Sequence, residues 1–511
     1  MNKIFIVIFF IIANTGFAQV VGDNHNTFTR ADTLRGSLRP ERTSYNVLKY
    51  HLKLKVEPEK QFISGSNEIT FEVLEDMNRM QLDLFENMTI DSILYARQKL
   101  EYTREFNAVF ITFEEKLQKG KKNSLQFYYS GKPIVAKNAP WDGGFVWDTD
   151  NEGNPWIGVA VQGTGASLWY PNKDHQGDEP EELEMDIAVP NGLMNVSNGR
   201  FTGKENLGNG FTQWSWKVVN PINNYNVMIN IANYVHFSDN YKDLDLDYYM
   251  LPYNLEKAKK QFEEVKLMMD CFYEKMGPYP FVEDGFKLVE VPYLGMEHQS
   301  AVAYGNEYMM GYLGNDLSGT GIGLNWDYII IHESGHEWYG NSITAADIAD
   351  MWIQEGFTSY TEAIYVECRW GKEKALEYLK GLRRGIGNQS KIIGDYGVNS
   401  EGSGDMYFKG ANLLNIIRSI YDNDELWWKT LKAYTEKFKH KTIRTEDTES
   451  FFNDAVPYNL QPVFDQYLRH AALPELQLKK EQGNVYYRWE ADVKNFEMPV
   501  DVLIDNTEMR L

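Results

Sequence analysis

The sequence predicts a multidomain β + α/β protein: a large antiparallel β domain, then an α-rich segment built around a small sheet, then a short β tail. Three observations predict it. From about Tyr45 to Phe237 apolar and polar residues alternate with period two between Gly, Asn and Pro punctuation. From Asn254 the apolar spacing lengthens to that of a helix. After Leu473-Pro474 the alternation returns until the chain stops at Leu511. The 511 residues suit two to four domains and a sizeable core.

In chain order, Met1-Asn-Lys3, an apolar run from Ile4 to Ala13 and small residues before Gln19 have the layout of a secretory signal peptide over 1–18. About ten apolar residues are too few to span a bilayer. No Cys follows the cleavage position, which argues against a lipid anchor there. The expectation is an exported chain, periplasmic or secreted, that opens with an extension over 19–44 and has no membrane span.

The β domain is expected over 45–247. Its clearest strands are His51-Leu-Lys-Leu-Lys-Val56, Ile69-Thr-Phe-Glu-Val73, Val109-Phe-Ile-Thr-Phe113 and Asn226-Val-Met-Ile-Asn-Ile231. The polar, acidic stretch from Ser238 to Asp247 reads as its boundary. Over 248–472, Asn254 is a candidate cap for a helix with Leu255, Ala258, Phe262, Val265 and Met269 on one face, stopped by Gly277-Pro278. A strand near Lys287 to Val291 follows, then buried helical runs at Trp326 to Ile331 and Asp347 to Trp370, with later helices near Asp405, Asp424 and Thr448. The tail over 473–511 carries Leu476-Gln-Leu-Lys479 and Val485-Tyr-Tyr-Arg-Trp489, too short for an independent sandwich.

A net charge of −22 disfavours nucleic acid and anionic membranes as partners, because the attraction to phosphates is missing. It is compatible with a bias toward cationic peptide ends. Cys271 and Cys368, the two cysteines, each fall in a helical pattern; a disulfide and two buried thiols both fit, and neither residue reads as a metal ligand.

Chemistry concentrates in Ile331-His-Glu-Ser-Gly-His-Glu-Trp-Tyr-Gly340 and, with eighteen residues between it and His336, in Glu355. On a helix His332 and His336 project from one face toward a single cation, with Glu333 beside it. Two His and one Glu leave a fourth tetrahedral position open, which marks a catalytic zinc site rather than a closed structural one. One zinc ion held by His332, His336 and Glu355 is expected, with Glu333 as general base. Upstream, Glu297 in Pro292-Tyr-Leu-Gly-Met-Glu-His-Gln299 is, on residues alone, either an ammonium-binding acid or a surface loop acid.

Four elements then resemble the aminopeptidase N-type gluzincin family: Leu294-Gly-Met-Glu-His298, His332 to Asn341, Asp350-Met-Trp-Ile-Gln-Glu-Gly-Phe357, and Tyr407-Phe-Lys-Gly410. Val161-Gln-Gly163, Trp169-Tyr-Pro171 and Asp178-Glu-Pro180 are similar to signatures of that family's first domain. The resemblance implies a β saddle over 45–247, a thermolysin-like zinc domain over 248–472 and a partial sandwich over 473–511. It implies aminopeptidase activity on peptides with a free N-terminus. Gly295, Met296, Glu297 and His298 would bind the substrate, Gln162 would assist from the β domain, and Tyr407 would support the transition state. Without the resemblance, Tyr407 is a core aromatic in an aromatic-rich chain.

Glu362, seven positions beyond Glu355, is either an acceptor that orients a ligand histidine or an exposed helix acid. The chain departs from the family at His298, which replaces an amide and either alters pH dependence or merely packs. The large helical C-terminal domain of many relatives is expected to be missing. An endopeptidase, an epoxide hydrolase and an inactive peptide-binding scaffold on the same fold are the competing readings, and oligomeric state is left open.

Overall fold

The structure, a computed structural model, describes residues 27–504 and 507–511; the expected signal peptide lies outside them. Alternating burial along Tyr45–Glu57 and Phe62–Val73 puts one face of each strand in the core, and the two pair antiparallel with Tyr50 opposite Ile69. They are the centre of an eight-stranded sheet. Against it lie a three-stranded sheet of Met77–Asp83, Ala108–Leu117 and Glu101–Glu105, and a four-stranded sheet that includes Gly144–Thr149, Pro155–Ala160 and Ile229–Ala232.

The antiparallel expectation holds for the large sheet except at one pairing: Tyr45–Glu57 runs parallel to Glu182–Pro190, with Leu52 opposite Met185. Alternation along a strand reports which face is buried and says nothing of the neighbour's direction. The run Asn226 to Ile231 is a strand only over Ile229–Ala232, because Asn224–Asn226 forms a 3-10 turn capped by the Asn223 side chain.

The boundary expected after Asp247 falls inside a strand. Val235–Tyr241 and Leu244–Met250 form a hairpin whose second strand pairs in parallel with Phe286–Glu290, opening a mixed five-stranded sheet that continues through Val302–Tyr304 to Gly295–Met296. Val235–Tyr241 is an edge strand with mostly exposed side chains, so its polarity imitates a linker. The hydrophobic core of the β half runs on through Val289, Val291, Tyr293, Met296 and Ala303, so the strand before Glu297 is packed on both sides.

The helix expected from Asn254 is two helices, Leu255–Gln261 and Glu264–Lys275. Asn254 does not cap the first; its side chain donates to Glu290 at 2.7 Å. The buried helix near Trp326 spans Tyr328–Gly335, and the long run after Asp347 is a 3-10 turn followed by the helix Trp352–Trp370. Helices Phe408–Tyr421, Asp424–Phe438 and Thr445–Asp454 start within three residues of their expected places. Two hairpins, Glu475–Glu481 with Asn484–Glu490 and Asp501–Ile504 with Thr507–Arg510, make the tail. No helix among the described residues is long and apolar enough to cross a membrane.

The extension before the first strand is ordered over its described part. Helix Arg30–Gly36 starts at a Thr29–Asp32 capping box, and the turn Pro40–Thr43 carries the fully buried Arg42, paired with Asp83 and donating to the Arg35 and Asp174 carbonyls. The Asp32 carbonyl accepts the Asn399 amide at 3.3 Å, tying this strap to a loop of the catalytic half.

Cys271 and Cys368 form a disulfide across 97 residues, joining Glu264–Lys275 to the end of Trp352–Trp370. Closing so long a loop restricts the unfolded chain strongly. Replacing both cysteines with Ser is expected to lower unfolding stability by about 3–5 kcal/mol, and urea titration with and without reductant measures it.

Candidate metal centre

Asp327 starts the first site helix by accepting the Ile329 and Ile330 amides, so the apolar run Ile329 to Ile331 enters the core and carries His332 and Glu333 with it. Two close approaches set the neighbouring helices around it. A Cβ at Gly335 would lie 2.4 Å from Thr361 Oγ1, and one at Gly410 would lie 2.9 Å from Gly356 Cα. Glycine at these points lets helix Trp352–Trp370 lie against both partners, bringing Glu355 under the histidines and Tyr407 over them.

One ligand atom from each of His332, His336 and Glu355 falls within 4.8 Å of the other two, and all three residues are buried. Glu355 Oε2 lies 3.3 Å from His336 Nε2 and 3.9 Å from His332 Nε2. The other ring nitrogens are already committed. His332 Nδ1 donates to Glu362 Oε1 at 2.7 Å, while Glu362 Oε2 accepts the Tyr378 hydroxyl at 2.7 Å. His336 Nδ1 donates to the Tyr339 carbonyl at 2.9 Å. That contact depends on the turn at Gly340, φ 129°, where a side chain would crowd His336 Nδ1 at 3.0 Å. Both Nε2 atoms are thereby left to face a cation. Glu362 is fully buried and is the orienting acceptor, not an exposed acid.

Charge points the same way. Burial pushes the Glu333 carboxyl up to about 7, and Glu297 is raised by the same cause. Burial works to lower His336, yet Glu297 and Glu355 together raise it to about 10. Three carboxylates around two imidazoles leave net negative charge in a buried place, and a divalent cation on an N,N,O donor set fits it.

Gln162, from the β half, extends Nε2 to Glu297 Oε1 at 2.7 Å and to Glu355 Oε1 at 2.9 Å. Asn341 fixes the Glu297 backbone by donating to its carbonyl at 2.8 Å, and is itself held by Asn226 at 2.8 Å. Tyr407 sits between a 3-10 turn and helix Phe408–Tyr421, half-buried, its ring 6.5 Å from that of His332 and nearly parallel to it. Gln162, Glu297 and Tyr407 face a cavity of about 450 Å³ together with His332, Glu333, His336 and Glu355. Gly295 and Met296 form part of its wall; Trp141, 67% exposed, and Tyr312 stand along it too.

His298 is the misplaced residue. It is fully buried, absent from the cavity wall, and neither ring nitrogen has a hydrogen-bond partner among the described residues. Burial pushes it down to about 3, so it is a neutral packing residue and not a substrate contact. The strand Gly295–Met296 has ended before His298, so its side chain is turned by the irregular segment that follows into the packed interior rather than toward the cavity that Gly295, Met296 and Glu297 line. Sequence reasoning also missed Trp141, Tyr312, Asn399 and Glu401, which reach the cavity from loops without a local signature. Asn341 was legible as the end of the His332 to Asn341 element.

Residues 253–467 match the peptidase family M1 domain. The chain is 20% identical over 332 residues to a leucyl aminopeptidase of Saccharolobus solfataricus, covering 62% of this chain and 41% of that protein. It is 29% identical over 144 residues to aminopeptidase B of Rattus norvegicus, covering 25% of this chain and 22% of that protein. The chain thus spans less than half the length of either relative. Among solved structures, an M1 zinc metallopeptidase mutant from Deinococcus radiodurans bound to a Tyr-Ser-Ala substrate superposes with a TM-score of 0.70 at 18% identity, over 86% of this chain and 98% of that one. That likeness shows a shared fold: a β-rich first half followed by a helical one.

Glu362→Gln removes the charge behind His332 while keeping the shape. Divalent-metal affinity is expected to fall about 10–100-fold, read by competition with a chromogenic chelator.

Proposed function

We propose, from the match of residues 253–467 to the peptidase family M1 domain, that this chain is a zinc-dependent aminopeptidase that hydrolyses the first peptide bond of peptides with a free N-terminus. The observation that carries this reading is Glu297, a buried carboxylate beside the metal-ligand set, bridged to Glu355 by one amide from the other half of the molecule. With its nitrogen spent on the two acids, Gln162 keeps Oε1 to accept from a substrate ammonium, and Glu297 supplies the charge. That end of the cavity is thus suited to a positive group.

His332, His336 and Glu355 would hold one zinc ion. When bound, it would supply Lewis acidity toward the scissile carbonyl and a lowered pKa for water. Glu333, raised toward neutrality by burial, is suited to take the proton from the attacking water and pass it to the leaving nitrogen. Tyr407, stacked near His332, directs its hydroxyl chemistry at the carbonyl oxygen as that atom gains charge, a contact worth on the order of 3 kcal/mol when preorganised. Glu297 and Gln162 fix the amino end, so register is set before chemistry.

Export to an oxidising compartment belongs to the same proposal. The Cys271–Cys368 disulfide and the leader-like N-terminus support it.

Three results test the reading. Leucyl amide should be cleaved in a chelator-sensitive way, while N-acetyl-leucyl amide is untouched; equal cleavage of both would sink the exopeptidase assignment. Glu333→Gln should lose about 10²–10⁴-fold in kcat with zinc content unchanged by metal analysis. Glu297→Gln should act chiefly on KM for substrates with a free amine.

A further inference from the structure

Four carboxylates face the cavity: Glu297, Glu333, Glu355 and Glu401. Among the described residues no Lys or Arg does. The first three have roles in metal, proton and ammonium binding. Glu401 has none of these, and its carboxyl makes no hydrogen bond among the described residues. The nearby Arg35 acts on Glu401 only through its charge, lies 3.9 Å from Asp174 and stands outside the cavity wall.

The loop that presents Glu401 is tightly built. Its two limbs press together through glycines: a Cβ at Gly394 would lie 2.3 Å from the Ser400 carbonyl, and one at Gly402 would lie 1.5 Å from the Ile392 carbonyl. It is anchored on several sides. The Ile392 and Ile393 amides donate to the Leu468 carbonyl at 3.0 and 3.2 Å, Gly394 donates to Ala349 at 2.9 Å, and the Tyr396 hydroxyl donates to Asp350 at 2.6 Å. From the far side the strap receives the Asn399 amide, and Gly36 packs directly on the Val398 backbone. A single exposed carboxylate is therefore held in place at the wall of a negatively charged cavity.

Its position relative to the substrate follows from Gly163. Gly163 follows Gln162, and a Cβ on it would lie 3.9 Å from Glu401 Oε2. Gln162 meets Glu297, so Glu401 stands at the ammonium end of the cavity, on the side of the first residue of the peptide.

We propose that Glu401 is a specificity-determining residue that selects peptides beginning with Lys or Arg by accepting hydrogen bonds from that residue's cationic side chain. The inference rests on the aminopeptidase reading and names its substrate class. A guanidinium or ammonium brings a second positive charge to a cavity whose remaining anion makes no hydrogen bond among the described residues, and charge-assisted hydrogen bonds are stronger than neutral ones.

The test measures kcat/KM of the zinc-loaded enzyme on arginyl and leucyl amides, in the wild type, Glu401→Gln and Glu401→Asp. The wild type should favour arginyl amide by about tenfold, the ratio expected from roughly one net charge-assisted hydrogen bond. Glu401→Gln should bring the ratio near one, through KM of the arginyl substrate, and Glu401→Asp should retain part of it. The same ratio in the wild type and Glu401→Gln would overturn the proposal while leaving the aminopeptidase reading intact. Cleavage of neither amide by the wild type would overturn that reading, and this one with it.

Discussion

Glu297, Glu333 and Glu355 lie buried within reach of the same imidazole, His336, and each carboxylate taken out of water costs several kcal/mol unless something compensates it. A protein that holds such an arrangement has to restrain it from every direction. Glu362 and the Tyr339 carbonyl point the rings, Gln162 and Asn341 hold Glu297, and glycines at 335, 356 and 410 let three helices close over the whole. Relaxation would swing the acids toward solvent. Packing prevents it, so positive charge has to arrive from a cation and from the substrate.

That demand also explains why the site belongs to neither half alone. Gln162 comes from the β half, while the residues it meets come from a strand edge and a helix of the catalytic half. The strand before Glu297 is packed into the β core, so the ammonium-binding acid is positioned from behind by one layer and from the front by another. Separation of the halves by even an ångström would break both bonds of one side-chain amide. Long side chains in a loop rarely carry such precision, and here the surrounding sheet supplies it.

Much of this was legible in the sequence because helical spacing is a short-range property. His332, Glu333 and His336 are placed by one helix, and Glu355 and Glu362 by another, so their convergence needed a single helix-to-helix contact. Glu297, Gln162 and Tyr407 required the family resemblance, since nothing local distinguishes a functional loop acid, amide or phenol from a structural one. His298 failed for the opposite reason: its motif position was right, but the direction a side chain takes in the irregular segment after a strand is set by tertiary packing. Glu401 had no signal at all, because its place is set by backbone contacts to three distant segments. The polar stretch read as a linker is in part an edge strand that turns its polar side to solvent.

The lone parallel pairing in the large sheet has a bearing on biosynthesis. Tyr45–Glu57 needs Glu182–Pro190 beside it, so one edge of a central strand waits until some hundred and thirty further residues have been made. Until then its amides and carbonyls stand open, able to recruit any extended stretch nearby. A ribosome delivering this polypeptide therefore exposes an adhesive strand for a long interval, and a holding chaperone acting on the nascent form would matter most in that window.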